Sequence, residues 1–231
     1  MVRDAALNIQ PNPEQLAQAA ADFISAQVRV KPELNILVAT GHTPMATYAE
    51  LARRAEAGEV DFSRATAVQL DEYLGIDDDD PRSLWGWMRR SFVEPLRLTR
   101  TVRLESPAQF GTALARLGGL DLAVLGLGPN GHLGFNEPPS LPDAPTRTLA
   151  LTPASLESNR AYWGELAVPE GAITAGMDVI LAARQTLLLV GGTHKRAVLH
   201  AALKGPETPE VPASFLRRTA LTVIADEAAW A

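Results

Sequence analysis

The stretch "LDLAVLGLGPNGHLGFNEP", residues 120–138, joins an apolar run of strand length to a loop rich in glycine. Its first nine residues are almost continuously apolar, which is typical of a strand buried on both faces of a parallel sheet. Gly126, Gly128 and Gly131 then allow the backbone to turn tightly. The stretch therefore predicts a buried strand that carries a polar loop at its carboxyl end.

Similar apolar runs recur along the chain and alternate with segments of helical periodicity. The other runs are "LNILVAT" (34–40), "TAVQL" (66–70), "QTLLLVGG" (185–192) and "ALTVIAD" (220–226). Helices are predicted over 13–30, after Pro44 through Arg54, and over 194–203. This alternation predicts an α/β fold, with a Rossmann-like, mostly parallel sheet covered by helices on both faces. No repeat or low-complexity linker interrupts it, so residues 1–231 are expected to form a single domain.

The size and hydropathy of the chain indicate a globular protein. It has 231 residues, 46% of them hydrophobic, which is enough for a sizeable core. No apolar run approaches the roughly 20 residues of a membrane span. The first twenty residues contain no apolar segment of the kind that forms a secretion signal. We therefore expect a cytoplasmic protein that does not bind membranes.

The composition also excludes several kinds of ligand. The net charge is −6, and no cluster of Lys and Arg resembles a nucleic-acid footprint. The chain has no cysteine, so disulfides, thiolate catalysis and Cys-ligated metals are excluded. Its four histidines show no H-x-x-x-H spacing, which argues against a histidine-built metal site. We expect no cofactor and no metal.

The loop after residue 125 has two chemical interpretations. Gly126-x-Gly128-x-x-Gly131 has the spacing of a dinucleotide-binding turn, but such a turn opens a helix, and Gly134 and two prolines follow here instead. The alternative is acid–base chemistry, in which His132 transfers protons and a carboxylate orients its ring. Spacing alone leaves a third option open, an ordinary loop histidine with a surface glutamate.

Polar segments follow each predicted strand on its carboxyl side. They are Thr40–Thr43, Asp71, Asn130–Glu137 and Gly191–Lys195. In open α/β sheets, ligands bind at the carboxyl ends of strands, near a switch in strand order. We therefore expect these segments to meet in one crevice, although the residues alone leave Asp71 open as an exposed strand-end acid.

The sequence "LGLGPNGHLGFNEP" closely resembles the signature of the glucosamine-6-phosphate deaminase (isomerase) family, in the glucosamine-6-phosphate isomerase/6-phosphogluconolactonase superfamily. Three further segments resemble the family in order and spacing: "QLDEYLGI" (69–76), "LVATGHTPMATYAEL" (37–51) and "AITAGMDVILAARQTLLLVGGTHKRAVL" (172–199). The resemblance covers about residues 30–229. The 6-phosphogluconolactonases share the fold but lack the N-E-P and D-E-Y motifs. A lactonase, or a non-catalytic sugar-phosphate sensor, remains the alternative.

The resemblance implies an enzyme of amino-sugar metabolism that converts glucosamine 6-phosphate and water into fructose 6-phosphate and ammonia. We expect it to be classed as a hydrolase. By resemblance, Asp71 is the base that carries a proton from C2 to C1, His132 opens the ring and Glu137 orients His132. Asn130 departs from the Asp of many relatives, and it removes a negative charge beside His132. We expect this change to displace the acidic limb of the pH–rate profile.

The resemblance also implies a phosphate site. Thr40, Gly41, His42 and Thr43 match the family's first phosphate loop, at a strand-to-helix turn where anions are favoured. Arg160 and Lys195 match its charged phosphate ligands, although each residue type usually lies on the surface.

Some relatives are hexamers activated at a second site by N-acetylglucosamine 6-phosphate. Ser140 and Arg147 match that site, but Leu149 stands where those relatives have Lys. We therefore expect a monomer or small homo-oligomer without strong allosteric activation.

Overall fold

The computed structural model describes residues 5–231, except for the side chains at positions 154, 158, 161 and 162. Within these residues the strands are β1 (Ala6–Gln10), β2 (Asn35–Val38), β3 (Thr66–Gln69), β4 (Asp71–Tyr73), β5 (Arg100–Val102), β6 (Leu122–Gly126), β7 (Arg147–Ala150), β8 (Gly171–Thr174), β9 (Gln185–Val190) and β10 (Leu221–Asp226). The helices are α1 (Pro13–Val30), α2 (His42–Glu56), α3 (Leu84–Met88), α4 (Pro107–Leu117), α5 (Pro153–Trp163), α6 (Met177–Leu181), α7 (Arg196–Lys204) and α8 (Glu227–Trp230).

The main sheet has seven parallel strands in the order β1-β10-β9-β6-β2-β3-β5. Helices cover both of its faces. Successive residues of a strand point to opposite sides, so each strand packs against helices on both faces. On β2, Ile36 and Val38 pack with α1 and α2, whereas Leu37 packs in the core on the opposite face, with α4, α6 and α7. The predicted α/β fold is confirmed.

The helix predicted over 13–30 is α1, with the same bounds. Its start follows from local chemistry, because the side chain of Asn12 accepts a hydrogen bond from the Gln15 backbone N–H at 2.9 Å. Pro13, at the first helical position, has no N–H to leave unsatisfied.

A second, antiparallel sheet of three strands has the order β4-β8-β7. No hydrophobic pattern in the sequence predicts this second sheet, because β4 is only "DEY" and carries two acids. In this sheet Asp71 pairs with Thr174 of β8. The residue that the resemblance assigns as the base therefore lies where the chain passes from the main sheet into the second sheet.

Strand order switches between β2 and β6, which are neighbours although three strands separate them in the chain. The chain leaves β2 toward β3 and β5, and it leaves β6 toward β9 and β10. This divergence opens a crevice at the carboxyl ends of β2 and β6. The single-domain organisation remains a prediction, supported by a sheet that joins β1 to β10. Across residues 5–231, no helix combines the length and apolar character needed to cross a bilayer.

Candidate active site

A cleft of about 1190 Å³ lies at this switch point. It is lined by the predicted residues Thr40, Gly41, His42, Thr43, Asp71, His132, Glu137 and Lys195. These residues come from four separate segments of the chain. The sheet therefore brings the polar strand ends into one site, as their positions after parallel strands suggested.

His132 is held by the residues around it in the loop. Its Nδ1 lies 2.8 Å from Asn130 Oδ1 and 2.8 Å from Glu137 Oε1. Both neighbours are acceptors, so Nδ1 carries the proton and Nε2 is left as the acceptor of the neutral ring. The cluster thus sets one tautomer of the imidazole.

The Glu137 carboxylate contacts His132, Asn130 and Ser155 at the same time. Burial alone would raise its pKa, but hydrogen bonds from His132, Asn130 and Ser155 outweigh burial and lower the pKa to about 2. Asn130 Nδ2 donates to Oε2 at 2.6 Å, and Ser155 Oγ donates to Oε1 at 2.7 Å. Glu137 therefore stays ionised, and Asn130 supplies a donor that an ionised aspartate would lack.

The glycines of this loop make room for the imidazole and the base. A Cβ on Gly128 would come within 2.2–2.4 Å of three ring atoms of His132. Gly134 has a φ of +57°, and a Cβ there would lie 3.2 Å from Asp71 Oδ2. The dinucleotide interpretation does not fit, because the turn leads into an isolated bridge between Leu133 and Asn136 rather than into a helix.

Asp71 has different surroundings. Its side chain is buried, with 8% of the residue exposed, and no described residue hydrogen-bonds to its carboxylate. Burial, with a smaller contribution from the charge of Glu72, raises its pKa to about 7. A carboxylate with such a pKa can take up and release a proton near neutral pH.

Lys195 lies at the other end of the cleft, in the short turn before α7. Asp226 accepts two hydrogen bonds of 3.0 Å from the Gly192 backbone N–H and so fixes the loop that leads to Lys195. Burial lowers the pKa of Lys195 to about 8. Within residues 5–231 no acidic side chain forms an ion pair with Lys195, so its charge is available to an anion.

The loop from Thr40 to Thr43, which the resemblance matches to a phosphate loop, turns at Gly41, whose φ of 117° suits glycine. It leads directly into α2, which starts at His42. The His42 ring meets Trp87 edge-on, with ring centroids 6.3 Å apart. Thr40 and Thr43 border the same turn, where backbone N–H groups at a helix start favour anions.

The structure does not bring Arg160 to the cleft. Its side chain is 68% exposed and forms an ion pair of 3.5 Å with Glu157 on the same helix, α5. Asn159, one position earlier, lines the cleft instead. The physical reason is helix geometry, because neighbouring positions on a helix point about 100° apart.

Two arginines that were not predicted from the sequence also line the cleft, Arg82 and Arg90. The Arg82 guanidinium pairs with Asp80 and lies 4.4 Å from the ring centroid of Trp163. Arg90 donates to the Pro81 carbonyl at 2.7 Å. The only available signal was their place just after the D-E-Y segment, since their approach to the cleft depends on the path of the chain.

Ser140 and Arg147 both form hydrogen bonds to residues of the 126–140 loop, the segment from Gly126 to Ser140 that carries His132 and Glu137. Ser140 Oγ donates to the Glu137 carbonyl at 2.5 Å, and Arg147 Nη1 donates to Asn136 Oδ1 at 2.8 Å. Among the described residues, no group of His, Asp and Glu has an arrangement that could hold a metal ion.

The covered parallel sheet, with a buried carboxylate and a carboxylate-bound imidazole at its switch point, defines a class: α/β proteins with an acid–base cleft at the strand ends. The sequence profile of the glucosamine-6-phosphate isomerases/6-phosphogluconolactonase family matches residues 11–225. The chain belongs to this family, as its motifs predicted.

Relatives named glucosamine-6-phosphate deaminase match over nearly the whole chain. The protein of Rhodopirellula baltica is 37% identical over 96% of this chain and 94% of its own length. That of Corynebacterium aurimucosum is 37% identical over 96% and 91%. A solved structure of a monomeric glucosamine-6-phosphate deaminase has a TM-score of 0.92 at 30% identity, covering 97% of this chain and 98% of that one.

A 6-phosphogluconolactonase from Trypanosoma cruzi shares the fold, with a TM-score of 0.78 at 17% identity over 99% of this chain and 96% of its own. The expected classification as a hydrolase is wrong. The relatives that match over nearly the whole chain are named glucosamine-6-phosphate deaminases, and the solved structure at 30% identity is also a deaminase.

Proposed function

We propose that this protein is a glucosamine-6-phosphate deaminase that converts glucosamine 6-phosphate and water into fructose 6-phosphate and ammonia. The observation that carries the proposal is one cleft holding a buried carboxylate with a pKa of about 7 and an imidazole fixed by an ionised glutamate. Isomerisation and deamination need both groups, one for carbon-bound protons and one for the ring oxygen.

His132 acts first in this proposal. Its Nε2 exchanges a proton with the ring oxygen of the bound sugar, and the ring opens. Glu137 and Asn130 keep the proton on Nδ1, so that the imidazole presents the correct nitrogen. A neutral histidine beside a carboxylate base is a known combination for aldose–ketose proton transfer.

Asp71 then moves the proton from C2 to C1. Its burial, without hydrogen bonds from described residues, keeps the carboxylate basic enough to remove a carbon-bound proton. The amine at C2 becomes an imine, and water replaces it with release of ammonia.

The phosphate is bound at the Lys195 end of the cleft in this proposal. Lys195 has no acidic partner in the described chain, and the turn from Thr40 to Thr43 offers backbone N–H groups. Arg160 remains a predicted ligand that lies outside the cleft in this structure.

The oligomeric state proposed is a monomer or small homo-oligomer. Its support is the likeness to a monomeric deaminase. A cytoplasmic location also remains a prediction.

The test supplies purified protein with glucosamine 6-phosphate and measures fructose 6-phosphate and ammonia separately. Equal amounts of the two products are expected. A parallel reaction with 6-phosphogluconolactone follows lactone hydrolysis. Hydrolysis without ammonia would assign the protein to the lactonases, and phosphosugar binding without any product would make it a sensor.

A further inference from the structure

Glu72 follows the proposed base in the chain, and the mechanism above gives it no task. Its partly buried carboxylate accepts five hydrogen bonds. Oε1 accepts from the Tyr73 and Leu84 backbone N–H groups, both at 2.9 Å. Oε2 accepts from Gln69 Nε2 at 3.1 Å, from Ser83 Oγ at 3.0 Å and from the Trp85 N–H at 2.7 Å.

These bonds connect three parts of the cleft wall. Gln69 ends β3, and its Nε2 also donates to the Asp71 carbonyl at 3.0 Å. Ser83 caps α3, and its hydroxyl accepts from the Gly86 N–H at 3.0 Å. One carboxylate therefore ties the strand that carries Asp71 to the start of the helix that carries Trp87 into the cleft.

We propose that Glu72 is the positioning residue of the base: through its five hydrogen bonds, its carboxylate fixes the Asp71 backbone against the start of α3. The proposal rests on the proposed function, since it assumes that Asp71 is the base. Two effects follow. The hydrogen bonds set where the base lies, and the charge disfavours a second charge on Asp71.

Other titratable groups also face the cleft, and they stay the same in the test variants. They are His42 on α2, His132 and Glu137 in the 126–140 loop, His194 and Lys195 in the turn before α7, and Asp226 at the end of β10. Arg82, Arg90 and Tyr73 line the cleft from the β4–α3 side. Strand β8, which pairs with β4, contributes no charged residue. A change seen in a Glu72 variant therefore reports on Glu72.

The experiment compares Glu72→Gln and Glu72→Asp with the wild type in the fructose 6-phosphate assay across pH. Glutamine removes the charge and replaces one acceptor oxygen with an NH2 group. That NH2 group would lie against at least two N–H or O–H donors and could not accept their hydrogen bonds. We expect kcat/KM to fall several-fold and its acidic limb to move to lower pH, because Asp71 then ionises more easily. Aspartate keeps the charge but reaches less far, so kcat/KM should fall with the limb unmoved.

Glu50→Gln is the matched control. Glu50 is also a strongly hydrogen-bonded carboxylate, bound to Arg53 at 2.8 Å and Arg54 at 2.7 Å, but it does not line the cleft. Its loss should lower Tm and leave kcat and the pH profile as they are. If Glu72→Gln behaves like this control, Glu72 is merely structural and the proposal is wrong.

An NMR titration of the Asp71 side-chain carboxyl carbon, without substrate, separates this proposal from the proposed function. The Asp71 titration should move to lower pH in Glu72→Gln even if the wild type forms no fructose 6-phosphate. An unmoved titration overturns the proposal whatever the activity. If Glu72→Gln does not fold, Glu72→Asp decides: reduced kcat/KM with an unmoved limb supports the proposal, and wild-type kcat/KM overturns it.

Discussion

The β3–β4 junction and the 126–140 loop each place one carboxylate in the same cleft. The surroundings shift the pKa values of these two carboxylates in opposite directions. Asp71 is buried without a hydrogen-bond donor among the described residues, and its pKa rises to about 7. Glu137 is also largely buried but accepts three hydrogen bonds, and its pKa falls to about 2. Burial alone therefore does not decide the charge of a carboxylate, because hydrogen-bond donors and neighbouring charges also shift its pKa.

This difference separates two roles. A group that must exchange protons needs a pKa near the working pH, whereas a group that orients an imidazole must stay charged.

Asp71→Asn removes the base itself. We expect kcat to fall by roughly 10⁴-fold, at the upper end of what a positioned base contributes. Substrate affinity, measured by isothermal calorimetry, should change little because the amide has the same shape.

In the wild type, kcat/KM should fall as the pH drops below about 7, where Asp71 becomes protonated. The control is Asp121→Asn, at a buried aspartate paired with Lys31 outside the cleft. Near-normal kcat in Asp71→Asn would refute the base assignment.

Glu137→Gln changes the other carboxylate. The imidazole loses its ionised partner and the fixed tautomer, so kcat should fall by roughly 10²-fold. Steady-state kinetics beside Glu207→Gln measure this, since Glu207 is also ion-paired, to Arg218, but lies outside the cleft. A larger loss in Glu137→Gln than in Asp71→Asn would reverse the proposed ranking of the two roles.

Lys195→Met tests the phosphate end. Loss of a charge-assisted contact should raise KM by roughly 10-fold or more, with a smaller change in kcat. In the wild type, KM should also rise as the pH passes about 8 and Lys195 loses its proton. Lys204→Met, at a lysine that lies over Trp230, is the control. A kcat loss without a KM change would place Lys195 in the chemistry instead.

Asn130→Asp has the smallest expected effect. It sets a second carboxylate where Asn130 Nδ2 now donates to Glu137 at 2.6 Å. The added charge disfavours ionisation of Asp71 in the same cleft and also favours the protonated imidazolium, so the acidic limb of kcat/KM should move to higher pH by less than about one unit. Asn130→Ala removes the hydrogen bonds without adding charge and should not cause this shift. If the limb stays in place in Asn130→Asp, the charge argument fails.

The sequence was most informative where burial leaves a repeated pattern. Strands β2 and β6 are buried on both faces and therefore read as apolar runs, and α1 shows its apolar face at helical spacing. Strand β4 has only three residues, two of them acidic, so no hydrophobic pattern marks it. The second sheet was missed for that reason.

Within the cleft, the motifs predicted several of the residues that line it but not the contacts those residues make. Asp71, His132 and Glu137 follow strands, and the parallel sheet brings them together. Whether Arg160 faces the cleft depends on which side of α5 it occupies, and the motif does not determine that. The five donors around Glu72 come from residues 69–85 and meet only when the chain folds back on itself.

The buried Asp71 carboxylate has a consequence for protein engineering. An acid whose pKa is raised by folding costs stability as the pH rises from its ordinary value of 3.8 toward 7, because the folded chain holds the proton more tightly. Asn at position 71 should therefore raise Tm by a few degrees at pH 8, and by little at pH 4. Selection of variants for heat resistance alone would enrich substitutions of Asp71, and such a screen needs a simultaneous selection for turnover.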